Sequence, residues 1–136
     1  MALLFPNLNH NIKDEKPKHE LVKDEDAIAD VAMLRGSTAM IVTNAAGEMH
    51  ATMAAAGARA WVVMEDVVAG ARVRLRFLGH MPTIINAVLN AGVLLMADGA
   101  GGAIAHTNGH WYLGHSEWPS AVAGHIVAVW AERGYR

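Results

Sequence analysis

All thirteen glycines lie after residue 34, and their spacing sets what the rest of the chain can become. They stand at 36, 47, 57, 70, 79, 92, 99, 101, 102, 109, 114, 124 and 134, many of them 9 to 13 residues apart. That is the rhythm of short strands joined by turns. The intervals read as strands over 39–43, 48–53, 60–64, 72–77, 93–97, 103–106, 110–113 and 125–131. Asn44-Ala45-Ala46-Gly47 and Thr107-Asn108-Gly109 read as hairpin connections, because Asn and Gly accept turn geometry at little cost. Residues 83–90 (TIINAVLN) fit a short helix, with Ile84, Ala87 and Val88 on one face and Asn90-Ala91-Gly92 as its stop. The alanine-rich run 51–60 is ambiguous, since Gly57 interrupts what alanine would favour. The expected fold is mainly β: a small β-barrel or sandwich with one short helix.

Before the first glycine the composition is different. The four lysines, Lys13, Lys16, Lys18 and Lys23, all precede residue 24, and the seven arginines all follow residue 34. Residues 7–30 carry Asp14, Glu15, Glu20, Asp24, Glu25, Asp26 and Asp30 with few large apolar side chains. Such a stretch buries too little area to offset the entropy of ordering it. The expected division is therefore an extended N-terminal arm over 1–30 and one compact β-rich domain over 31–136. The apolar tip Leu3, Leu4 and Phe5 makes the arm either a docking element or a frayed terminus.

Arg72, Arg74 and Arg76 alternate with Val73, Leu75 and Phe77, so a strand here puts three guanidinium groups on one face and three apolar groups on the other. The basic stripe needs acidic neighbours. These are either cross-strand carboxylates or the surface of a partner or neighbouring subunit. Trp118 precedes Pro119 in an expected loop, where an indole serves as an interface anchor.

The residues argue against most chemistry. A net charge of -2 lacks the basic excess of a nucleic-acid binder, and the four tryptophans are not interleaved with a basic patch. There is no cysteine, hence no thiol catalysis or Cys-based zinc site. The longest apolar run, 87–97, is interrupted by Asn90 and Gly92 and is too short to span a bilayer as a helix. The opening residues have neither the basic region nor the apolar length of a signal peptide. His106, His110, His115 and His125 cluster late, but no H-E-x-x-H or H-x-x-E-H pattern frames them as metal ligands. Ser37, Ser116 and Ser120 lie in no nucleophile motif. The glycine cluster after Asp98 precedes a strand, not a helix that would cradle phosphate. No catalytic residue, cofactor or metal is expected.

The C-terminal half carries a recurring order: Ala69-Gly70-Ala71-Arg72-Val73-Arg74-Leu75, then residues 90–102 (NAGVLLMADGAGG), then Trp111-Tyr112-Leu113-Gly114-His115-Ser116, then Ala123-Gly124-His125-Ile126-Val127-Ala128-Val129. Over residues 69–131 this order resembles the capsid decoration (cement, head-stabilising) proteins of tailed bacteriophages. It departs from them in the helix-like segment 84–90 and in the long charged arm. The resemblance implies a virion structural protein on the outer face of an icosahedral head. It would tie major capsid protein subunits together, often as a trimer. A mean hydropathy of +0.20 also leaves apolar surface for a homo-oligomer to cover. Two competing readings are a small β-barrel metal- or ligand-binding enzyme using the late histidines, and an α/β adaptor in which 51–60 and 83–90 are helices.

Overall fold

The computed structural model describes residues 22–136. These residues form ten strands: β1 (Lys23–Ala29), β2 (Thr38–Thr43), β3 (Met49–Met53), β4 (Trp61–Val63), β5 (Arg72–Leu78), β6 (His80–Ile85), β7 (Leu94–Ala97), β8 (Ala103–Ala105), β9 (Trp111–Ser116) and β10 (His125–Tyr135). They close into two barrels of five strands each.

The two barrels have one topology, used twice. In the first, β1 runs parallel to β3 and antiparallel to β5, while β2 pairs antiparallel with β3 and β4, and β4 with β5. The second repeats this with β6 in the place of β1 and β10 in the place of β5. The repeat extends to individual hydrogen bonds. Met33 and Val67 exchange backbone bonds as Leu89 and Ser120 do. The Gly36 N–H donates to Val63 and the Gly92 N–H to Ser116. Gly70 donates to Ala29 and Gly124 to Ile85, each at 2.7 Å. Asn44 Oδ1 accepts the N–H groups of Ala46 and Glu48, and Asp98 Oδ1 accepts those of Ala100 and Gly102, so one Asx cap closes both hairpins.

The sequence blocks follow the geometry. By these equivalent bonds residues 30–36 (DVAMLRG) correspond to 86–92 (NAVLNAG), and 68–75 (VAGARVRL) to 122–129 (VAGHIVAV). At Gly70 and Gly124 the backbone is left-handed, with φ of 87° and 92°. Only glycine holds that conformation without strain, which is why the pair occurs at matching positions.

Small side chains fill the first barrel: Ala27, Ala29, Ala39, Ala51, Val63, Val73 and Leu75 are buried together. The second core is bulkier, with Met81, Ile85, Leu95, Leu113 and Val129, and it takes in Ala54, Ala60 and Val62 from the first half of the chain. Backbone bonds join the barrels directly. Thr38 donates to Gly101, Gly57 to Ala97, Trp111 to Gly57 and Ile84 to Gly36, all at 2.9–3.1 Å. Thr38 Oγ1 adds a buried bond to the Gly102 carbonyl at 2.9 Å.

Three expectations change. The helix over 83–90 is absent, and the described residues hold no helix at all. Met81, Thr83 and Ile85 are buried while Pro82 and Ile84 are half-buried, a period of two that places them in β6. The remaining residues turn back to bridge Ser120. The apolar spacing at 84, 87 and 88 suits either state, and the β-branched Thr-Ile-Ile run together with tertiary pairing favours the strand. Second, Lys23–Ala29, placed in the arm by composition, forms β1 and closes the first barrel. Its interior needs only Ala27 and Ala29, so it folds without large apolar residues. Third, the body is a pair of barrels in place of one. Residues 1–21, the remainder of the expected arm, lie outside the described residues, and Leu3, Leu4 and Phe5 with them.

Because the barrels share backbone bonds and a core, they should unfold together. Leu75→Ala in the first and Leu95→Ala in the second, both fully buried, should each cost about 3 kcal/mol. Urea unfolding followed by fluorescence and circular dichroism should stay a single coincident transition in both variants. A second transition appearing in either would show that the barrels are independent.

Candidate functional site

The three arginines of β5 face outward beside β1, whose register sets Asp24 opposite Arg76, Asp26 opposite Arg74 and Ile28 opposite Arg72. Arg76 binds Asp24 with two bonds, Nε to Oδ1 at 2.8 Å and Nη2 to Oδ2 at 3.1 Å. Arg74 Nε stands 3.8 Å from the same carboxylate. The acids that composition assigned to an arm are thus the cross-strand partners of the stripe. Arg72 and Arg74 remain exposed at its outer end.

Trp118 is 66% exposed in the loop before β10. It does not stand alone. Val88, in the loop after β6, is 70% exposed, and Val122 is 51% exposed. The corresponding loops of the first barrel expose Leu34 and Val68, the latter at 69%. Each barrel therefore carries an apolar pole built from the same two loops. In the first barrel Ala32, Met33, Leu34, Val67 and Val68, with Asp66, line an open cleft of about 340 Å³. Single exposed apolar residues are ordinary; these stand at equivalent positions in the two barrels.

The late histidines do not converge. His115 Nδ1 pairs with Glu132 at 2.8 Å, His106 Nε2 lies 2.9 Å from the His110 carbonyl oxygen, and His125 is exposed. Among the described residues no three of His, Asp and Glu assemble as a metal site. Asp98 is occupied structurally. Partial burial opposes its ionisation, yet bonds from Asn86, Ala100 and Gly102 outweigh that and hold its pKa below the usual value.

Sequence reasoning missed one cluster, at the seam where the barrels meet. The Arg59 guanidinium lies over three rings, those of Trp61, Phe77 and Trp111, at 5.5, 4.9 and 5.7 Å. The Arg133 guanidinium lies over Phe77 at 4.4 Å and donates from Nε to the Phe77 carbonyl at 2.8 Å. Its members come from four separate segments, so no local motif announces it.

His50 offers a pH probe of the first barrel. Its Nδ1 bonds Asp30 at 2.7 Å, and this contact, with Glu48 3.6 Å from Nε2, holds the imidazole pKa above its ordinary 6.5 despite some desolvation. A raised folded pKa contributes stability that is complete below the unfolded value and disappears as pH rises through the folded one. The stability difference between the native chain and His50→Gln should therefore shrink as pH climbs above 6.5. Urea midpoints measured across that range check the sign.

No protein-family model matches the chain, and no curated protein sequence matches it. A solved structure does: the head fiber gp8.5 N base of bacteriophage phi29 superposes with a TM-score of 0.68, covering 82% of this chain and 95% of that one at 15% identity. At that identity the likeness is one of fold, and this chain shares its fold with the phi29 head fiber N base.

Proposed function

We propose that this chain is a virion structural protein that decorates the outer surface of an icosahedral phage head and ties major capsid subunits together. The observation that carries this reading is the fold likeness to the phi29 head fiber N base, which spans nearly all of that base. The order of motifs over residues 69–131 supports it from the sequence side. The role is one of binding and not of catalysis. A binder of this kind needs a rigid body and apolar surface to be covered on assembly, and the repeated poles at Leu34 and Val68 and at Val88, Trp118 and Val122 supply the surface.

The working unit in this reading is a homo-oligomer, a trimer on the shell. Several weak contacts held on one assembly bind through high effective concentration. Attachment draws on the tip Leu3, Leu4 and Phe5, whose burial is worth roughly 5–8 kcal/mol before ordering costs. The twenty-two residues ahead of β1 could reach at most about 75 Å, far enough to cross onto a neighbouring subunit.

The test uses undecorated heads incubated with full-length protein, with a variant lacking residues 1–21, and with a variant carrying Gln at 106, 110, 115 and 125. Cutting at 21 and not at 30 matters, because β1 closes a barrel. Full-length and His-substituted proteins should sediment with the heads, and the truncated form should bind about 100-fold more weakly, a net loss of ~3 kcal/mol. Equal binding by the truncated form would move attachment to the barrel poles, where Val68→Asp and Val122→Asp should then abolish it. Failure of the full chain to bind any head would overturn the reading.

A further inference from the structure

The seam between the barrels holds cations without counter-charges. The chain carries thirteen acidic residues against eleven basic ones, and Arg74 and Arg76 share Asp24. Arg59 and Arg133, by contrast, meet aromatic rings and form no ion pair with any described residue. Arg133 makes one short bond, to the Phe77 carbonyl, and its Nη2 lies 3.8 Å from Met81 sulfur. Its Nη1 is buried with no acceptor, and so is Trp61 Nε1. Both orphan donors belong to side chains packed against Phe77, the Trp61 ring tilted at 5.2 Å and the Arg133 guanidinium over its face at 4.4 Å.

We propose that this seam is a carboxylate-binding site, in which Arg59 and Arg133 receive an Asp or Glu side chain of a partner protein between walls formed by Trp61, Phe77 and Trp111. Burial of a guanidinium without a charge partner is costly, and burial together with repulsion from Arg59 pushes Arg133 down to about 9. A carboxylate arriving between the two would relieve both effects. Arg59 is exposed, so the site opens to solvent on its side. The planar guanidinium matches a carboxylate with two parallel bonds, and the surrounding rings exclude water and strengthen the contact.

The ligand is one acidic side chain and not a polyanion. A nucleic acid would need a line of cations along its backbone, whereas this site has two in a chain of net charge -2. The site requires no phage head to be present. Failure of a small acidic probe would leave the virion role untouched, and failure on heads would leave this site untouched.

The experiment titrates full-length protein with acetylated hexaglutamate, with hexaglutamine, and with an oligothymidine, following the indole N–H resonances of Trp61 and Trp111. Hexaglutamate should saturate and shift both signals, while hexaglutamine should not. Arg59→Gln, an exposed change that leaves the cores intact, should weaken binding at least about 10-fold. Arg59→Lys should recover part of that loss, and Arg72→Gln, on the β5 stripe, should have no effect. Binding unchanged in Arg59→Gln, or equal binding of hexaglutamine, would overturn the proposal. Tighter binding of the oligothymidine would replace it with a nucleic-acid site.

Discussion

Barrel closure by the first strand of each half is the contact on which everything else depends. β1 lies between β3 and β5, and β6 between β8 and β10, so each five-stranded sheet has no free edge. A closed sheet of only five strands encloses very little volume. That geometry accounts for the alanines at 27, 29, 39 and 51, which would look like a weak core in an open sheet. It also accounts for a strand as acidic as Lys23–Ala29. Closure is completed by backbone bonds and two buried methyl groups, and the acids stay outside to meet the arginines of β5.

Repetition of the same barrel within one chain lets the surfaces diverge while the backbone lattice stays constant. The outward face of β5 is Arg72, Arg74 and Arg76, and the matching positions of β10 are Ile126, Ala128 and Trp130. The first barrel thus presents a charged flank held by Asp24, and the second an apolar one with Ile126 exposed. The turns at Gly70 and Gly124, the Asx caps at Asn44 and Asp98 and the bridges at Met33 and Leu89 do not diverge, because they determine strand register. A one-residue slip in register would turn every core side chain outward.

The joint between the barrels is where the two halves acquire something neither has alone. Arg59 comes from the β3–β4 connection, Phe77 from the end of β5, Trp111 from the start of β9 and Arg133 from β10. The Thr38–Gly102 and Trp111–Gly57 bonds tie the two barrels together beside this cluster. The apolar poles are different in kind, each made by two loops of a single barrel.

Local features of the sequence were enough for the mainly β class, for eight of the ten strands and for the hairpin turn at Asn44–Gly47. The expected hairpin at Thr107–Gly109 is instead a turn between β8 and β9, which do not pair: β9 lies between β7 and β10, so the chain crosses over there. Turn chemistry at Asn44, Gly47, Asn108 and Gly109 is local, as is the two-residue alternation of β5. The other two strands were not legible. Residues 23–29 look like a solvated charge run until β5 sets arginines beside them, and 83–85 fit a helix face as well as a strand until β10 pairs with them. The duplication was also within reach of sequence reasoning, since VAGARVRL and VAGHIVAV are readable side by side. The joining of the barrels and the Arg59–Phe77–Arg133 stack were not. They rest on contacts between residues 18 to 64 positions apart in the chain, which depend on how two closed sheets pack and leave no periodic trace in the order of the residues.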